Sequence, residues 1–119
     1  MKIAQLLARI GSGLRDAIRG DSARRPTPED GVFEARVFSG DAGRRDYRLF
    51  IPRRPAPEAQ ARLIVMLHGC TQDAEDFARG TGMNALAAAR GWHVLYPQQG
   101  RSANPMRCWN WFLPSNQTR

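Results

Sequence analysis

Apolar positions change period along the chain, and each period predicts a different element. Near the amino terminus Ile3, Leu6, Leu7, Ile10, Leu14, Ala17 and Ile18 fall at helical spacing, with Arg9, Asp16 and Arg19 off that face. This predicts an amphipathic helix over residues 1–19, weakened by Gly11 and Gly13 at about 1 kcal/mol each relative to Ala. The polar, breaker-rich GDSARRPTPEDG then reads as a linker over residues 20–31, so that a folded unit spans 32–119. Val32–Phe38 and Asp46–Pro52 are rich in β-branched and aromatic residues and flank SGDAGRR, where Gly40 and Gly43 serve the turn. They predict an antiparallel hairpin. In its second strand Tyr47, Leu49 and Ile51 share one face and Arg48 and Phe50 the other, the alternation of a half-buried strand.

RRPAPEAQA reads as a surface loop, since Pro55 and Pro57 exclude regular structure. Leu63–Leu67 follows as an apolar run without alternation, which suits a parallel strand covered by helices on both faces. Asp73–Arg90 has the composition of a helix in two pieces, broken at Gly80–Gly82, with Thr81 a candidate cap and Gly91 the residue that ends it. Trp92–Tyr96 is another short apolar run, stopped by Pro97. Strand, helix, strand is the βαβ unit of a parallel sheet, so the fold class is α/β. The remaining QQGRSANPMRCWNWFLPSNQTR has no period and reads as an aromatic-containing loop.

Composition changes little in this picture. A hydrophobic fraction of 42% and a charged fraction of 24% are globular values, and 119 residues suffice for one domain or part of one. The net charge of +7 raises nucleic acid or an anionic surface as a partner. The arginines are scattered, however, and no aromatic-interleaved basic stripe accompanies them, which favours a solvated surface over a nucleic-acid patch. No run reaches the length of a membrane span, and Arg9 interrupts the would-be core of a signal peptide. The apolar stripe of residues 1–19 is better suited to docking on the domain than to a membrane or polymer surface.

The chemistry concentrates where the apolar run ends, at His68-Gly69-Cys70. A strand that turns at once toward a helix leaves backbone N–H groups aimed beyond its carboxyl end, as an oxyanion requires. His68 is favoured as a structural histidine fixing that loop over a general base, which would need a nucleophile within reach. His93 lies mid-strand and reads as a packed or surface residue. The nearest match to a serine elbow, GRSAN (Gly100–Asn104), has Asn104 in place of the second glycine, no preceding strand and Pro105 after it. Cys70 and Cys108 are the two cysteines. A disulfide between two loops of one rim, a pair of buried free thiols, and a catalytic Cys70 are all open, in that order of preference. Trp109 and Trp111, two apart, fall on the same side if CWNWF is extended, as core or as a pocket wall.

LHGCTQ, DFARGTGMNALAAARGWHVLYPQQ, and NPMRCWNWF followed by PSNQ, in this order, together resemble the polyhydroxyalkanoate (poly(3-hydroxybutyrate)) depolymerase family of α/β-hydrolase esterases. The similarity runs from about Phe33 to Arg119. It implies a serine esterase with a Ser-Asp-His triad, acting on polyesters or small carboxylic esters, with no metal or cofactor, in a family whose members are commonly secreted. It also implies that Cys70 supplies an oxyanion-hole N–H, that His68 and Gly69 shape that loop, and that Trp109 or Trp111 lines the cleft. In the family the triad lies beyond Arg119. The resemblance therefore covers the amino-terminal part of such an enzyme, expected to be inactive alone, with the Leu63–Leu67 strand left at an open sheet edge. A basic surface-binding or nucleic-acid-binding protein, or a truncated product without independent function, are the competing readings.

Overall fold

In the computed structural model, residues 30–118 are described; the helix expected over residues 1–19 and nearly all of the linker lie outside them. Strands β1 (Gly31–Gly40) and β2 (Gly43–Pro52) form an antiparallel hairpin whose register runs from Gly31 opposite Pro52 to Gly40 opposite Gly43. Only Asp41 and Ala42 connect them, so most of SGDAGRR is strand rather than loop. A two-residue connection lets both strands run to the tip, and Gly43, at φ 117°, takes the backbone angle this tight turn demands.

Residues Glu58–Gln60 form one 3₁₀ turn inside the proline-rich loop. Strand β3 (Leu63–Val65) follows, then helices α1 (Ala74–Thr81) and α2 (Met83–Arg90), then β4 (His93–Pro97). Asp73 caps α1 by accepting from the Asp76 N–H at 2.8 Å. The break between the helices is made by Gly82 at φ 63°. Thr81 serves both helix ends, its hydroxyl donating to Phe77 O at 2.9 Å and accepting from Met83 N–H at 3.4 Å. Gly91 ends α2 at φ 68°, and its own carbonyl accepts from Ala56 N–H at 2.8 Å. A Cβ there would meet Ala56 N at 2.4 Å and Arg54 O at 2.6 Å, so close approach as well as backbone angle selects glycine.

The four strands make one mixed sheet in the order β1-β2-β4-β3, with β3 and β4 parallel and β2 antiparallel to both β1 and β4. Register aligns Phe33, Phe50, Val94 and Ile64 into one row across all four strands. Both helices pack on that row. The core is Phe50, Val94, Tyr96, Ala74, Ala78 and Ala87, with Phe33, Ile64, Met66 and Phe77 against it.

The alternation expected of β2 holds, while the covering expected of β3 is corrected. In β2 it is Phe50 that is fully buried, while Tyr47, Leu49 and Ile51 are half-buried on the opposite face, because the helices lie on the Phe50 side. And β3 is not covered on both faces: Ile64 packs inward while Leu63 and Val65 are 58% and 53% exposed. The sheet is covered by helices on one side among the described residues.

Candidate active site

The last sheet bond of the β3 segment runs from Met66 N–H to Leu95 O at 2.8 Å, after which the chain turns through His68-Gly69-Cys70 at the carboxyl end of the parallel pair. His68 is 1% exposed. Its Nε2 accepts from the Gln99 backbone N–H at 3.0 Å. A backbone N–H can only donate, so Nε2 carries the lone pair and the ring proton sits on Nδ1, which donates to Gly69 O at 2.8 Å. Both ring nitrogens are thereby engaged inside the protein, and neither is free to act as a general base.

The loop is held by its own atoms and by a second loop. Gly69 N–H donates to Gln72 Oε1 at 2.8 Å, and Gln72 N–H returns to Gly69 O at 3.3 Å. Thr71 N–H donates to Met106 O at 2.7 Å, and Trp109 Nε1–H donates to His68 O at 2.8 Å. Cys70 and Cys108 are joined by a disulfide with Cα atoms 4.3 Å apart. Thr71 and Arg107, each next to one of these cysteines, have φ of 64° and 55°, left-handed values unusual for residues with a Cβ. The Cys70 N–H differs from its neighbours: among the described residues it has no hydrogen-bond partner, and Cys70 is exposed.

Behind the loop sits a polar layer that sequence reasoning passed over as unpatterned loop. Gln99 is 2% exposed; its Nε2–H donates to Cys108 O at 3.1 Å and its Oε1 accepts from the Arg45 guanidinium. Arg45 also donates to Gln98 O at 3.2 Å and lies 5.4 Å from the centre of the Trp109 ring. Gln98 Oε1 receives the Ala74 N–H at 2.8 Å, satisfying an amide of the first turn of α1. Asn104 Oδ1 accepts from Met106 N–H at 2.9 Å and Cys108 N–H at 3.2 Å, shaping the second loop. The available signal was two consecutive amide side chains placed just after a proline-ended strand, at the same sheet end as His68.

Trp109 and Trp111 do not share one extended face. Asn110–Phe112 forms a 3₁₀ turn, which rotates Trp111 away. Trp109 packs with its ring centre 5.3 Å from that of His68, while Trp111 is 71% exposed and meets Phe112 edge-on at 6.0 Å. Ser102 of the GRSAN stretch lies exposed in a turn, not on a strand-to-helix elbow. No serine or threonine hydroxyl bonds a histidine ring among the described residues. No group of three or more His, Cys, Asp or Glu able to hold a metal ion occurs among them either.

Known proteins share this sequence and architecture. A poly(3-hydroxyalkanoate) depolymerase C of Paucimonas lemoignei is 44% identical over 61 residues, 51% of this chain and 14% of that protein. A poly(3-hydroxybutyrate) depolymerase of Delftia acidovorans is 38% identical over 58 residues, 45% of this chain and 12% of that protein. The chain thus spans about one-seventh or less of the length of these relatives. Among solved structures, the S954A mutant of the feruloyl esterase module from Clostridium thermocellum, complexed with sinapinate, superposes with a TM-score of 0.50. That match covers 67% of this chain and 31% of the other at 17% identity, a likeness of fold. Residues 45–118 match the family described as Esterase PHB depolymerase, and the chain belongs to that family.

Proposed function

We propose that residues 32–119 form part of an α/β-hydrolase esterase domain, contributing one donor of the oxyanion hole and part of the substrate cleft. The substrates are poly(3-hydroxyalkanoates) or related carboxylic esters. In this reading the Cys70 N–H receives the negative charge that develops on the carbonyl oxygen in the tetrahedral intermediate. His68 and Gly69 hold its loop, and Trp109 or Trp111 contributes an apolar wall to the cleft. The observation that carries it is the exposed Cys70 N–H, unpartnered among the described residues while the N–H groups of Gly69, Thr71 and Gln72 around it are all bonded. A preorganised donor of this kind is what acyl transfer needs, since it stabilises charge without reorganising. The printed names of the relatives support the polyester substrate, and the disulfide suits an oxidising, extracellular setting.

Attack on the ester carbonyl calls for a nucleophile and a base. With both nitrogens of His68 engaged and no hydroxyl paired to a histidine, the Ser-Asp-His triad of this reading lies outside the described residues. The 119-residue chain is therefore expected to hydrolyse p-nitrophenyl butyrate no faster than buffer. Turnover that is abolished by a serine-directed covalent inhibitor would overturn this. The oxyanion assignment is tested separately with methylphosphonate, a tetrahedral anion: its titration should move the Cys70 amide resonance more than those of the β1–β2 hairpin. No response at Cys70 would remove the assignment.

A further inference from the structure

Gly69 creates a problem that its neighbours solve. A Cβ at this position would sit 2.9 Å from Gln72 Oε1, so a side chain would crowd the Gln72 contact that closes the loop. A glycine, however, leaves the following peptide unusually free to rotate. That peptide is the one carrying the Cys70 N–H. Because the unit is planar and trans, its C=O and N–H point in opposite directions, and fixing one aims the other. Here the Gly69 oxygen is fixed by two donors, His68 Nδ1–H at 2.8 Å and Gln72 N–H at 3.3 Å. The Cys70 N–H is thereby turned away from the buried ring.

The first of those donors exists in one tautomer only. A neutral imidazole can carry its proton on either nitrogen; the Gln99 N–H, 3.0 Å from Nε2, tolerates only the Nδ1–H form. Gln99 is in turn held where it is. Its side chain reaches Cys108 O at 3.1 Å and accepts from Arg45, and the preceding Gln98 N–H donates to Asp46 O at 2.9 Å. Gln99 and His68 are both buried, so water does not compete for these bonds.

We propose that Gln99 is a positioning residue: its backbone N–H selects the Nδ1–H tautomer of His68, and that ring fixes the direction of the Cys70 N–H. Its catalytic purpose rests on the oxyanion reading above, whereas the relay is a property of the chain and can be measured without it. Long-range ¹H–¹⁵N spectra of the full chain should show His68 with a pyrrole-like Nδ1 and a pyridine-like Nε2. The Cys70 amide should have an order parameter near the rigid-backbone value of about 0.85. His68→Phe, which removes the donor, should lower it below about 0.6, and His68→Asn, whose amide N–H₂ can take the place of Nδ1–H, should restore it. Gln99→Ala keeps the backbone N–H and should therefore leave the Nδ1–H tautomer in place. A protonated Nε2 in the wild type overturns the proposal, as does an unchanged Cys70 order parameter in a His68→Phe variant whose hairpin resonances show it folded. Should either variant fail to fold, the wild-type tautomer still decides. A silent methylphosphonate titration alongside the expected tautomer would remove the oxyanion reading and leave the relay standing.

Discussion

Tyr96 is fully buried and donates its phenol hydrogen to Asn84 Oδ1 at 2.7 Å, joining β4 to α2 through two polar groups with no access to water. Burial pushes the Tyr96 phenol well above its usual range. The sign of the linkage follows from this. Below about pH 10, the ordinary tyrosine value, the folded and unfolded chains both keep the proton and the contribution to stability is whole. As pH rises further the unfolded chain releases the proton first, and stability falls. Tyr96→Phe strands Asn84 without a partner and should cost about 1–3 kcal/mol at neutral pH. Urea titrations across pH 8 to 11 check both effects, because the variant should lose less stability at the alkaline end. At this scale the sequence was informative where residue types are rare. A His-Gly-Cys turn after an apolar run stands out, and the structural reading of His68 agrees with its bonds. Gln99 did not stand out, because a glutamine in a loop carries no period and no charge. Its importance arises only when β2 and β4 pair and bring Arg45 beside it.

The elements themselves were readable to the extent that period distinguishes them. The hairpin alternates, Gly91 ends the second helix, and the strand-helix-strand order is right; the lengths shift, and the Asp73 cap of α1 was not picked out. The covering of β3 was not readable. Five consecutive apolar residues, Leu63 to Leu67, look alike whether one face or both are packed, and only the position of α1 and α2 decides. The difference has a measurable form. Ile64 belongs to the four-strand row, so Ile64→Ala should cost about 2–4 kcal/mol. Leu63→Thr, on the open face, should stay within about 0.5 kcal/mol. The same Leu63→Thr change should reduce light scattering on concentration, since β3 is an edge strand among the described residues and shows apolar side chains beside its free edge. Equal losses of stability from Ile64→Ala and Leu63→Thr would contradict a sheet covered on one side.

Across the whole molecule, one covalent link adds to the hydrogen bonds that order the site end. The disulfide closes a separation of 38 residues and ties the loop after β3 to the loop after β4. Loop closure of that length is worth about 3–4 kcal/mol. Thermal melts with and without a dithiol reductant, compared with a Cys70→Ser, Cys108→Ser double variant, should show the reduced protein and the variant destabilised alike. The surface charge, by contrast, is already partly balanced. Arg36, Arg44, Arg48, Arg79 and Arg107 each have a carboxylate within 4.0 Å, on elements spread over the fold. Pairing disperses these charges over the surface and leaves the net charge of +7 unchanged.

The two left-handed residues beside the cysteines give that link a second meaning. Thr71 and Arg107 hold backbone angles that residues with a Cβ adopt at a cost of about 1–3 kcal/mol each. Once the sulfurs part, both positions have a downhill path to ordinary angles, and the Thr71 N–H to Met106 O and Trp109 Nε1–H to His68 O bonds are left to hold the two loops together. Glycine at both positions would remove that path. A chain carrying Thr71→Gly and Arg107→Gly would have no such cost to shed when the bond is reduced, and a freer backbone on both sides of the crosslink.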